Sequence, residues 1–271
     1  MPTNNDTRIE YLGTNPSSDF PISLLIFVSL IAHWLVFFFL PSSITPLIKS
    51  YILSTIHASV SVLAVCFFYI RSSINLTQVN RILGGGFQGT YDEIMAYSIC
   101  YSAGYFIHDL LIMFYFKSVR TSSAMFHHIV VLIIGLSGVY TRVGHTSQFL
   151  MLFEELSTIP LSLKAIYHHH HRIHEFLALL FAITFILSRL IYGTIICIFI
   201  FGAVPKFIQM ATNVGDMTSI ILIIIQMILI VTTRLLNLYW AVLIIRKMCA
   251  IFRRKKPSVS VKKIELDKKP E

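Results

Sequence analysis

Long uninterrupted runs of apolar residues, separated by short polar stretches, dominate the chain, and seven of them are near the roughly 20 residues a bilayer-crossing helix requires. They cover residues 21–40, 52–70, 94–116, 124–140, 146–166, 176–201 and 217–245. The fourth run is short and the fifth holds Glu154, Glu155 and Pro160, so without these two the count falls to five. The pattern predicts an all-α integral membrane protein of about seven helices, bundled around a lipid-accessible cavity. Residues 1–20 form a polar tail, 21–50 the first span and its loop, 51–251 a six-helix membrane domain, and 252–271 a basic tail. The first apolar run starts after about 20 polar residues and is long enough to span, unlike the short core of a cleavable signal peptide.

Composition agrees with the pattern. Apolar residues make up 55% of the 271 positions, charged residues 13%, and mean hydropathy is +0.73, beyond the range of a soluble domain. With alternating spans, 15 of the 22 Lys and Arg fall on the side of the C-terminal tail and 5 on the other, most of the excess lying in the tail. Arg189 and Arg234 lie within helices. Because positive flanks stay cytosolic, the C-terminus is expected in the cytosol and the N-terminus in the lumen. That orientation puts the sequons at Asn5 and Asn75 on the side where N-glycosylation occurs. It exposes Lys268 and Lys269, at the offsets of a dilysine retrieval signal, to the coat machinery that returns proteins to the endoplasmic reticulum. The alternative is a generic basic tail held near anionic headgroups.

Polar groups inside apolar runs must be paired or face a cavity. Here they are His33, His57, His108, Asp109, His127, His128, Glu154, Glu155, Arg189 and Arg234. Asp109 lies about seven residues, and the His127–His128 pair about four, from the predicted cytosolic ends of their spans. Adjacent helical residues point about 100° apart, so one imidazole can serve as base or nucleophile while its neighbour holds a partner. The acids and arginines of the last three spans read first as ion pairs that fix helix packing, and His33 and His57 as satisfied packing residues or cytosol-edge groups. Lys117, Arg120, Lys164 and the 168–174 histidine segment could attract an anionic co-substrate, or simply record the positive-inside excess. His170 and His174 have an i, i+4 spacing but no acid or Cys framework, and no His-x-x-His-His box forms, so no metal is expected. Span three ends Tyr115-Phe116-Lys117 and span seven reads Leu236-Asn237-Leu238-Tyr239, neither of which matches a seven-helix receptor. Nucleic acid is excluded as a partner.

Phe126-His127-His128 opening a span, Arg142 and Gly144 at its far end, and Glu155-Leu156-Ser157-Thr158-Ile159-Pro160 in the next span together resemble the TLC-domain family of multi-pass endoplasmic-reticulum proteins. That family includes ceramide synthases, translocon-associated membrane proteins, a lipofuscinosis-linked cargo receptor and proteins linked to membrane lipid composition. The resemblance covers roughly residues 51–251 and is closer to the TLC-domain-containing group than to true ceramide synthases. The synthase signature has a His-Asp where this chain has Met151-Leu152, and only an acid, Glu155, survives in its last position. The resemblance implies a role in membrane lipid homeostasis and, if catalytic, acyl transfer from acyl-CoA as co-substrate to a lipid amine of the sphingolipid type. His127 and His128 would then carry the chemistry with Asp109 or Glu155 orienting a ring, and Arg142, Arg189 and Arg234 would bind substrate. Lipid binding or transport without turnover, or a trafficking cargo receptor, would use the same fold.

Overall fold

The computed structural model describes residues 21–71, 82–83 and 93–254. Asn5, Asn75, Lys268 and Lys269 lie outside the described residues, as do both tails. The described residues are helical and contain no strand. The helices are α1 (Ile22–Phe39), α2 (Pro46–Arg71), α3 (Glu93–Tyr115), α4 (Ser122–Thr141), α5 (His145–Met151), α6 (Thr158–Ile166), α7 (His171–Phe185), α8 (Gly193–Val214) and α9 (Met217–Arg254). A 3₁₀ turn, Leu152–Ser157, joins α5 to α6, and a π-helical stretch, Ile186–Tyr192, joins α7 to α8.

Five of these stretches are long and apolar enough to cross a membrane: α1, α2, α4, the continuous α7–π–α8 helix and α9. Five is the smaller number the sequence allowed, but the membership differs. The fourth run qualifies, while the third, α3, does not. Helix α3 carries His108 and Asp109 and buries Ser102, Gly104, Tyr105 and both of those polar residues, so it is the polar centre of the bundle rather than a lipid-facing wall. The fifth run is split by the 3₁₀ turn and is almost wholly buried in its α5 half. The sixth extends well past 176–201. At 44 residues and about 1.5 Å per residue it is roughly 66 Å long, about twice a hydrocarbon core.

Burial follows the same division. Helices α1, α7, α8 and α9 expose rows of Leu, Ile and Phe, among them Phe27, Phe38, Ile198, Ile221 and Leu235, which in water would be a liability and in lipid is the ordinary solvent-facing surface. The tightest crossing is α1 on α3, where Gly104 lets the Ser29 side chain lie against the α3 backbone. A Cβ at 104 would overlap Ser29. Ser29 Oγ donates to the Tyr101 carbonyl at 2.7 Å, tying the two helices across this contact.

The ends of the bundle are closed by specific side chains. Lys49 Nζ donates to the carbonyls of Phe37 and Leu40 at 3.1 and 2.7 Å, satisfying orphan acceptors at the α1 C-terminus. Arg120 does the same for Met113 and Phe114 on α3. At the opposite end, α4 stops at Arg142, which adopts a left-handed conformation (φ 64°), followed by Gly144 at φ 76°. Gln226 of α9 donates to the Val143 carbonyl at 2.9 Å and holds this turn against the bundle.

Candidate functional site

Two adjoining cavities occupy the bundle interior. The outer one, about 620 Å³, is lined by α2, α3, α4, the 3₁₀ turn, α6, α7 and α9. The inner one, about 80 Å³, lies behind it against α3, α4, α5 and α9. His127, Glu155 and Arg189 line both and form the partition between them.

Asp109 and His128 face each other across the outer cavity wall. His128 Nδ1 lies 3.2 Å from Asp109 Oδ2, and Ser50 of α2 donates to Asp109 Oδ1 at 3.0 Å. The carboxylate therefore accepts a hydrogen bond from Ser50 on one oxygen and has His128 Nδ1 at ion-pair distance, without hydrogen-bond alignment, on the other. It presents an acceptor to Nδ1, which favours the tautomer with the proton on Nδ1 and leaves Nε2 as the basic nitrogen. The ring packs edge-on against Phe106, with centroids 5.0 Å apart.

His127 is placed differently, as neighbouring helical positions require. It is buried, meets the Trp240 ring edge-on at 5.3 Å, and its Nδ1 has no hydrogen-bond partner among the described residues. One imidazole of the pair is thus held by an acid, and the other sits on the partition between the chambers.

The mid-bundle acids and arginines form one network. Arg189 donates through Nε to Ser157 Oγ at 2.9 Å and through its amino groups to Asn237, Thr158 and Glu155 at 3.3, 3.3 and 3.5 Å. Thr158 Oγ1 in turn donates to Glu155 Oε2 at 2.6 Å. Arg234 pairs with Glu154 and donates to the Arg189 carbonyl at 3.0 Å, while Asn237 donates to Glu154 Oε2 at 3.1 Å.

Irregular helix geometry makes this network possible. The 3₁₀ turn advances three residues per turn rather than 3.6, and both of its acids, Glu154 and Glu155, are buried towards arginines. The π stretch widens α7–α8 at Ser188 and Arg189, the kind of local distortion that accompanies functional sites in helices. Gly193 follows it, and a Cβ there would overlap both Arg234 and Glu154.

Of the residues singled out from sequence, His127, His128, Asp109, Glu155 and Arg189 converge on the outer cavity, and Arg234 lines the inner one. Glu155 is engaged by Arg189 and Thr158, so Asp109 alone orients an imidazole. Arg142 lines neither cavity and belongs to the turn after α4. Lys164 and His174 line the outer cavity, whereas Lys117 and Arg120 do not. His33 and His57 pack as expected: His33 donates to the Ser29 carbonyl at 2.7 Å and His57 stacks on Tyr105 at 3.9 Å between ring centres. Ser50, Tyr105, Asn237 and Trp240 escaped the sequence reading. Ser50, on another helix and 59 positions from Asp109, carries no local signal that it bonds to it.

The TLC domain family profile matches residues 48–246. The chain belongs to the TLC-domain family. The match runs from within α2 to within α9, so the inner cavity and every residue of the network lie inside it, while Leu47, Lys247 and Met248 of the outer cavity fall just beyond its ends and α1 packs on it from outside. No curated protein matches the chain.

Proposed function

We propose that this TLC-domain protein acts on a membrane lipid bound in the outer cavity, with His128 as general base and Asp109 as its positioning acid, in acyl transfer from acyl-CoA to a lipid amine. The single observation that carries the reading is the Ser50–Asp109–His128 relay opening onto a cavity of about 620 Å³. Transfer forms a C–N bond and breaks the C–S bond of the thioester. His128 Nε2 takes the amine proton as nitrogen attacks the carbonyl and returns it to the departing thiolate. The apolar side of the cavity, with Met113, Val119, Leu161 and Phe185, gives an alkyl chain its place beside the dyad. A CoA thioester enters from the cytosol, which agrees with the positive excess around residues 246–256.

A second reading, binding or carriage of a lipid without turnover, is favoured by one observation: Met151 and Leu152 stand where the synthase signature has His-Asp. In that reading the dyad holds a headgroup. The deciding experiment is lipidomics on cells lacking the protein, rescued with wild type, His128→Ala or the His127→Ala/His128→Ala pair at matched protein levels. Acyl transfer predicts that wild type alone restores the altered species and that purified protein forms an N-acyl lipid from acyl-CoA. Full rescue by the pair would overturn the site assignment.

A further inference from the structure

Three cationic or titratable side chains converge on the outer part of the large cavity from three helices: Lys164 near the end of α6, His174 near the start of α7, and Lys247 near the end of α9. Lys164 is half-buried, with Nζ 5.1 Å above the centre of the Phe181 ring, and its ammonium group is repelled by that of Lys247. Among the described residues, neither lysine has an acidic or hydrogen-bonding partner. Of the two acids that line the same cavity, Glu155 is paired with Arg189, and Asp109 lies against Ser50 and His128 with no contact to either lysine. Lysines that only follow the positive-inside rule point outward to headgroups. Arg246, next in the chain, is exposed as Lys247 is, but lines neither cavity.

Like charges converging without a counter-charge on one cavity entrance, above an apolar interior, are the electrostatic form of an anion site. We propose that Lys164 and Lys247, aided by His174, bind a phosphate group of a ligand whose apolar part lies deeper, beside Asp109 and His128. This rests on the acyl-transfer reading only for which molecule carries the phosphate. A CoA thioester and a phospholipid headgroup both supply it.

The test uses the full-length protein in maltoside micelles, which contain no phosphate, with palmitoyl-CoA, palmitoyl-pantetheine and phosphatidic acid as separate probes. The Lys164→Gln/Lys247→Gln variant should bind at least one phosphate-bearing probe about tenfold or more weakly than wild type, as two lost charge-assisted contacts require. It should bind palmitoyl-pantetheine equally, Arg246→Gln should bind all three as wild type does, and Lys164→Arg/Lys247→Arg should recover most of the affinity. A loss confined to palmitoyl-CoA assigns the phosphate to the donor, and one confined to phosphatidic acid assigns it to a headgroup. Equal binding of both phosphate probes by the double Gln variant overturns the anion site, as does an equal loss in Arg246→Gln. If palmitoyl-CoA fails to bind wild type while phosphatidic acid shows the loss, the anion site stands and the acyl-transfer reading falls. If palmitoyl-CoA is bound and consumed alike by wild type and variant, the reverse holds.

Discussion

Breaking the Glu154–Arg234 pair from one side should cost more than removing it from both. The side chains are 8% and 18% exposed, so neither charge can recover its hydration when the other is lost. Arg234→Met leaves the Glu154 carboxylate with the Asn237 amide as its remaining hydrogen-bond donor. Glu154→Gln leaves the Arg234 guanidinium with the Arg189 carbonyl. Stranding one member of a buried pair costs about 3–5 kcal/mol, while replacing both by uncharged groups of similar volume is close to neutral. The double variant should therefore be no less stable than the worse single variant, giving a coupling of about 3 kcal/mol or more. Neutral hydrogen bonds between membrane helices average only about 0.6 kcal/mol, so the two kinds of interaction are distinguishable. Reversible unfolding in mixed micelles by dodecyl sulfate titration, followed by circular dichroism, supplies the four stabilities of the cycle. Single-variant costs that add in the double variant to within about 0.5 kcal/mol would refute the pairing.

Asp109→Asn removes the charge but keeps the shape, so the protein should fold and accumulate normally while His128 loses its preferred tautomer. The N-acylation rate of the purified protein should fall, by at most roughly the 10²–10⁴-fold that a general base supplies, and a wild-type rate would show that the contact is only structural. Gly193→Ala forces a methyl into the space held by Arg234 and Glu154. It should destabilise by about 1–3 kcal/mol, read in the same titration, and add little to a background already lacking both partners. Arg142→Gln, at the turn after α4 and outside both cavities, should leave the lipid profile unchanged, and a loss of rescue equal to that of the His128 variant would restore it to the site.

The membrane class and all-α architecture were legible without coordinates, because hydrocarbon admits only helices or closed barrels and the apolar runs are helix-length. Most of the buried ionisable residues were legible for the same reason, a charge inside an apolar run being too costly to be idle, whereas buried Ser50, Gln226 and Asn237 were not. The division of labour among them was not. Glu154 and Glu155 are adjacent and chemically alike, yet one pairs with Arg234 and the other with Arg189, a choice made by the 3₁₀ turn and the π stretch that no propensity announces.

Sequence alone thus determined which side chains had to meet inside the membrane, since transfer free energy depends on residue type and run length. Tertiary structure decided which of them meet. It gave Asp109 to His128, set His127 on the partition between two chambers, removed Arg142 from both, and brought Lys164 and Lys247 together across about 80 positions of chain. Those choices depend on helix rotation and on crossings such as Gly104 against Ser29, which are fixed by packing between distant segments rather than by any local pattern.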